Sequence, residues 1–180
     1  YLGYGEAIEF SNADATILHP ATVEPVYEMG IPIEIRHLSR YKENGLKTVI
    51  GPDIETEPNI KGIACIPRVA CVNAEVRYAQ DAALELSDLL QELNEANVRI
   101  CSFETTNAQW RFVFPQHEVS KGVQIIKQRC TVVDYEYYAA MLSFIGCRDI
   151  DYLQDKLAQY HNVNEGQLYQ SVTSIHMLSK

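Results

Sequence analysis

The sequence predicts an α+β chain: a strand–helix–strand edge, then a β-α-β-β-α-β unit, then a shortened copy of that unit. Three observations carry this expectation. Ile31, Ile33 and Ile35 alternate with Pro32 and Glu34, and alternation of this kind marks a half-buried strand. Leu86, Leu89, Leu90 and Leu93 recur at helical spacing, giving one apolar face about three turns long. Strand-like runs flank that helix and the next one, in an order that begins again toward Lys180.

The elements follow in turn. Residues 6–13 read as the end of a helix and Ala15 to Leu18 as a short extended piece. His19 precedes Pro20, which drives it out of the helical region. Pro20 itself suits a helix first turn, where its missing N–H has no partner to lose. That helix is expected to run to about Met29 and stop at Gly30, which readily takes the left-handed conformation of a helix end. After the strand at 31–35, Ser39 to Gly45 is polar and loop-like, Lys47 to Gly51 is a short β-prone piece, and Pro52 to Asn59 is an acidic linker with two prolines. Strand, helix and strand with short connections describe the edge of an α/β layer, and the main boundary is placed in the linker.

Beyond it, Val69 to Val76 reads as a strand, Asp81 to Asn94 as the leucine-faced helix, and Val98 to Phe103 as a second strand. A turn at Thr105 to Ala108 leads to a strand at Gln109 to Phe114. His117 to Arg129 carries Val119, Val123 and Ile126 on one helical face, and Thr131 to Tyr137 closes the set. This order is that of a ferredoxin-like small domain. The shortened copy comprises a strand at Tyr138 to Gly146, a helix at Asp149 to Tyr160, and a hairpin of Gln167 to Val172 with Ser174 to Leu178. It lacks a last helix and strand.

Composition removes several classes of function. A net charge of −9 without a basic stripe speaks against nucleic acid, whose binding is driven by Lys and Arg on phosphates. No apolar run approaches the roughly 20 residues of a membrane span. No charged-then-apolar leader argues for export. The five cysteines, Cys65, Cys71, Cys101, Cys130 and Cys147, form no Cys-x-x-Cys pair and the five histidines stand far apart, so no metal site is expected. Cysteines in apolar runs behave as small hydrophobes, which fits a reducing cytoplasm. The run Tyr135-Glu136-Tyr137-Tyr138 reads as strand packing rather than a stacking platform.

Five stretches in order carry a family resemblance. Gly5 to Phe10, His19-Pro20 and Gly30-Ile31-Pro32 are similar to the end of the aspartokinase catalytic domain. Lys61 to Ala64 with Arg68 to Val72 is similar to the opening of the first ACT domain of aspartokinases, and Asn97 to Ile100 with Phe103 to Thr106 to its second strand and effector-facing turn. The resemblance implies a division into residues 1–46, the end of the amino-acid-kinase catalytic domain; residues 59–137, a first ACT domain; and residues 47–51 with 138–180, a second ACT-like domain completed by the upstream strand at Lys47 to Gly51. It also implies homodimers formed through ACT sheet edges, with Val98 and Ile100 at the paired strands.

Aspartokinases transfer the ATP γ-phosphate to aspartate, and phosphoryl transfer needs glycine-rich backbone, lysine and usually metal. This sequence has no Gly-Gly pair and no P-loop pattern. ATP and Mg are therefore expected of the parent enzyme, an aspartate kinase, and no cofactor, catalytic residue or kinase activity of this stretch alone. What the resemblance implies instead is feedback by a free amino acid, lysine or threonine. The family's pocket maps to the loop Arg77 to Ala82 and the segment Arg99 to Thr106, so the effector residues implied are Tyr78, Gln80, Asp81, Arg99, Cys101, Ser102, Thr105 and Thr106. Cys101 stands where lysine-sensing relatives carry an aspartate, and Asp81, Glu104 or Glu75 are the acidic residues able to substitute. A dimerisation scaffold without a ligand, or a separate regulatory subunit, are the alternative expectations.

Overall fold

The computed structural model describes residues 1–13, 18–40, 47–54, 60–77, 81–106, 109–159, 167–170 and 174–179. In chain order the elements are β1 (Leu2–Gly3), α1 (Tyr4–Asn12), α2 (Pro20–Met29), β2 (Ile33–Arg36), a 3-10 turn at Leu38–Arg40, β3 (Lys47–Gly51), β4 (Gly62–Val76), α3 (Ala82–Glu95), β5 (Ser102–Thr105), β6 (Gln109–Pro115), α4 (Val119–Arg129), β7 (Cys130–Ile145), α5 (Ile150–Leu157), β8 (Gln167–Gln170) and β9 (Ser174–Ser179). They form two compact units, one of residues 1–65 with 142–177 and one of residues 66–141 with 178–180. The fold is α+β, as expected. Most of the extended piece at 15–18, the loop at 41–45, the linker at 55–59 and the turn residues 107–108 lie outside the described residues.

In the first unit, α2 starts and stops where its sequence dictates. His19 is extended (φ −82°, ψ 139°) and its Nδ1 accepts from the Ala21 N–H at 3.2 Å. Gly30 takes φ +65°, and the N–H groups of Gly30 and Ile31 donate to the carbonyls of Tyr27 and Val26, the double bond that closes a helix through a left-handed residue. The helices pack on a three-stranded sheet ordered β1-β3-β2, with Tyr4, Ala7, Val23 and Ile50 as its buried cluster.

This sheet corrects one expectation. Lys47–Gly51 does not complete the strands of residues 138–180, because β3 runs parallel to β1 and antiparallel to β2, so both its edges are occupied. The strand that joins the 142–177 segment is the head of β4: the Lys61 N–H donates to the Ile145 carbonyl at 2.8 Å. There, Phe144, Cys147, Leu153, Ile175 and Met177 form a second buried cluster under α5.

A polar face of α1 completes the unit. Glu6 is 3% exposed, accepts the Gly3 N–H at 2.8 Å and pairs with Lys61 Nζ at 2.8 Å. One turn on, Glu9 Oε2 stands 3.7 Å from His176 Nε2, whose Nδ1 lies 2.8 Å from the buried Ser143 hydroxyl.

The second unit is the predicted βαββαβ arrangement, with its strands ordered β5-β6-β4-β7. Strands β4 and β6 pair antiparallel from Val69↔Pro115 to Glu75↔Gln109, and β5 joins β6 from Ser102↔Val113 to Thr105↔Trp110. Because side chains alternate along a strand, Ala70, Val72, Ala74, Trp110, Phe112 and Phe114 share one face. They are buried there with Leu89 and Leu93 of α3 and Val119 and Ile126 of α4. Arg129 ties the helices together, its guanidinium pairing with Glu85, Asp88 and Glu92 of α3.

β4 begins at Gly62 rather than Val69, and two other strand boundaries differ from expectation for physical reasons. β5 begins at Ser102 rather than Val98 because the preceding backbone is already committed. Asn97 takes the left-handed φ of 53°, and Asn97 and Val98 donate to Asn94 and Leu93, closing α3 as Gly30 closes α2; the Arg99 N–H then goes to the Glu118 carboxylate. Val98 and Ile100 consequently pack in the helix-covered core rather than at a sheet edge. The expected strands at 131–137 and 138–146 are one strand, β7, since no Gly or Pro interrupts the run.

Leu93 is fully buried against both helices' core partners, and Leu93→Ala is expected to lower the unfolding free energy by about 2–5 kcal/mol, read from urea denaturation. In the first unit, burial holds the His176 imidazole below its ordinary value, with the Glu9 carboxylate acting the other way. The unfolded chain then binds the proton more readily, so stability rises with pH. Stability is expected to fall as pH drops below about 6.5, the unfolded imidazole's value, down through the lower folded one. Urea midpoints at pH 7.5 and 5.5 should differ less in His176→Gln than in the parent.

Candidate functional site

On the sheet face opposite the helix-covered core, Val69, Cys71 and Val113 are buried and polar residues gather toward one end of the strands. Asn73 and Arg111 stand directly opposite each other on β4 and β6, as do Glu75 and Gln109, while Glu104 of β5 stands opposite Arg111. Arg111 Nε donates to Asn73 Oδ1 at 3.0 Å and Nη1 to Glu104 Oε2 at 3.3 Å, and the Asn73 amide donates to Asp134 of β7. The row Asp134–Asn73–Arg111–Glu104 thus crosses four strands. Cys130 and Val132 of β7 pack in the core, whereas Asp134 meets Asn73.

These residues border a cavity of about 390 Å³ together with Glu75, Thr106 and Gln109, within the roughly 300–1,000 Å³ of small-molecule sites. Its electrostatics are lopsided: three carboxylates (Glu75, Glu104, Asp134) face one guanidinium (Arg111). Burial pushes the Glu104 carboxyl up and Arg111 draws it back. Such a lining can hold an ammonium group on the carboxylates and a carboxylate on Arg111.

The sequence-expected effector residues are dispersed relative to this cavity. Tyr78 and Gln80 lie outside the described residues. Asp81 is exposed at the start of α3 and makes no side-chain cap. Arg99 is half-buried with its backbone N–H on Glu118. Cys101 is half-buried too, its N–H on the Val113 carbonyl at 2.7 Å. Ser102 and Thr105 are the two ends of β5. Thr106 borders the cavity, held by its N–H on the Gln109 carbonyl at 2.8 Å. Of the three acidic substitutes for an aspartate at position 101, Glu104 and Glu75 line the cavity. Asn73, Gln109, Arg111 and Asp134 were not anticipated, although the polar residues interleaved through Ala70–Glu75 and Gln109–Phe112 carry the signal.

Tyr135 and Tyr137 are half-exposed with rings edge to face at 5.7 Å, while the buried Tyr138 donates to Glu136 at 2.7 Å and burial pushes its phenol up. Cys71, Cys130 and Cys147 are buried thiols outside any disulfide, the last two pushed up by burial, away from the reactive thiolate form. Among the described residues, no group of three or more His, Cys, Asp or Glu could hold a metal ion. No helix among them is long and apolar enough to cross a membrane.

A βαββαβ unit with two helices on one face of the sheet, preceded in the chain by an α/β layer, defines a ferredoxin-like α+β fold. The chain resembles the aspartokinases over most of its length. It is 31% identical over 136 residues to a chloroplastic bifunctional aspartokinase/homoserine dehydrogenase 1 of Arabidopsis thaliana, a match covering 71% of this chain and 15% of the relative. The chain therefore spans about 15% of the length of the curated relatives it matches. Among solved structures, the aspartate kinase of Clostridium acetobutylicum superposes with a TM-score of 0.67 at 20% identity, covering 99% of this chain and 44% of that one. E. coli aspartokinase III, solved in complex with lysine and aspartate, superposes with a TM-score of 0.62 at 15% identity, covering 98% and 42%. No family model matches the chain.

Proposed function

We propose that this chain is the regulatory region of a cytoplasmic aspartokinase. In this reading it dimerises through its ACT-type sheet and binds a free amino-acid effector, lysine or threonine, to control phosphorylation of aspartate by ATP and Mg on the parent enzyme. The stretch alone carries out no phosphoryl transfer. The observation that carries the effector assignment is the cavity on the open sheet face, whose three carboxylates against one guanidinium suit a ligand with two ammonium groups and one carboxylate. That balance favours lysine over threonine, and it supplies from Glu75, Glu104 and Asp134 the negative charge that Cys101 does not. E. coli aspartokinase III, whose fold this chain shares, was solved with lysine bound, which supports the same choice. Thr105 and Thr106 connect the cavity to the expected effector segment.

Dimerisation is supported by β5. It stands at the end of its strand order with β6 as its strand neighbour, and an open edge of this kind is a template for pairing with another chain. The effector acts by binding one dimer arrangement better than the other, and shifts the balance only by that affinity ratio.

Titration with lysine to a hundred times its dissociation constant is expected to add about 2.7 kcal/mol of stability. That raises the melting temperature by roughly 5 to 10 °C for a chain of this size. Threonine should do less, and Glu104→Gln should remove most of the lysine shift; no shift with either amino acid from a folded protein would leave the scaffold reading instead. The dimer has its own test. In the β5–β6 ladder Thr106 pairs with Gln109 through its N–H, so the N–H groups of Phe103 and Thr105 alternate outward. Thr105→Pro removes an outward donor while sparing the internal ladder, and a shift from dimer to monomer in light scattering is the expected result.

A further inference from the structure

Helix α1 binds its two neighbours by different physics. Tyr4 and Ala7 enter the apolar cluster with Val23 and Ile50, and Ile8 packs against it. Glu6, Glu9 and Phe10 follow at i, i+3 and i+4, the spacing of one helical face, and they meet the head of β4 and the strand β9. Glu6 pairs with Lys61, Glu9 faces His176, and the Phe10 ring lies so close to Gly62 that a Cβ there would come within 2.4 Å of it. Lys61 and His176 belong to the same strand group, since the Lys61 N–H donates to Ile145 of β7 and the Ser143 hydroxyl of β7 lies against His176.

Apolar burial is non-directional and survives small sliding motions. A buried charged pair does not: it needs good geometry, and a partner left behind without water is strongly unfavourable. Glu6 and Lys61 have side chains only 4% and 15% exposed, and those of Glu9 and His176 are 19% and 12% exposed. A half-seated α1 would leave buried charges without partners or water, so the seated and released positions are favoured over those between.

We propose that α1 is a releasable joint: fixed to the β1-β3-β2 layer by its apolar face, and held to the 60–65 and 142–177 strands by the Glu6–Lys61 ion pair and the Glu9–His176 contact, which engage and release together. Its regulatory meaning rests on the function proposed above. In that setting the state of the strands reaches the layer of residues 1–51 by seating or freeing this one helix face. Among the described residues, the Glu9 carboxylate of α1 faces His176 and the Ser143 hydroxyl of β7 lies against its ring, with the Glu6–Lys61 pair one turn away on the same helix.

The test is whether the two pairs are coupled. The His176 imidazole is titrated by NMR in the parent protein, in Lys61→Met and in Glu6→Gln, neither of which alters a residue paired with His176. If the joint is one unit, both variants release α1 and let water reach the ring. His176 then titrates near its ordinary value of about 6.5 rather than below it, and amide exchange in 61–65 and 174–179 quickens at least tenfold. An unchanged His176 titration in both variants overturns the proposal and leaves α1 as fixed packing. Should Lys61→Met fail to fold, the isosteric Glu6→Gln decides alone. A second arm adds lysine or threonine to the parent protein. Coupled variants without any ligand effect on His176 keep the joint and refute its regulatory use.

Discussion

The register between β4 and β6 is the constraint on which the second unit depends. With Val72 opposite Phe112 and Asn73 opposite Arg111, Ala70, Val72, Ala74, Trp110, Phe112 and Phe114 are committed to the helix-covered core and Asn73, Glu75, Gln109 and Arg111 to the opposite face. A slip of β6 by one residue would bring Arg111 into the core and turn Trp110 and Phe112 outward. The same pairing therefore fixes two things at once: the packing of α3 and α4, and the line of polar groups from Asp134 to Glu104. The cavity is the reverse side of the core. Its shape cannot be changed far without disturbing the ladder that holds the aromatic layer of Trp110, Phe112 and Phe114.

The sequence made most of the local structure legible because local rules govern it. Leucine spacing marks α3, and Pro20 and Gly30 bracket α2. Alternation reveals β2 and β6. What it concealed depends on competition for backbone groups. Val98 looks like a strand residue by composition, yet its N–H closes α3 through Asn97, a left-handed residue that a glycine-centred reading passes over. The partners of β3 were concealed for a related reason: Lys47–Gly51 is β-prone in either sheet, and only the pairing with β1 and β2 decides which. At the candidate site, resemblance pointed to the edge strand and the start of α3, whereas the charged groups converge one strand further in. Thr106 belongs to both, and Glu104 and Glu75 became visible as cavity residues only when β5 and β6 were in register.

The first unit shows how one helix serves two attachments. α1 presents Tyr4 and Ala7 to an apolar cluster and Glu6 and Glu9 to basic partners, so a nine-residue helix too short to be stable in isolation is ordered from both sides. Buried charge is a poor source of net stability but a strict source of geometry. The apolar side supplies adhesion and the polar side supplies position.

Arg129 has a further consequence for how the second unit assembles. Glu85, Asp88 and Glu92 form an acidic stripe along one side of α3, three and four residues apart, where like charges oppose helix formation. Their counter-charge sits at the last residue of α4, 37 to 44 positions later in the chain. Until α4 has formed and docked, α3 carries that repulsion uncompensated. The two helices are thus expected to gain and lose their order as a single cooperative block, with the aliphatic face of α3 supplying the attraction and Arg129 lifting the obstacle.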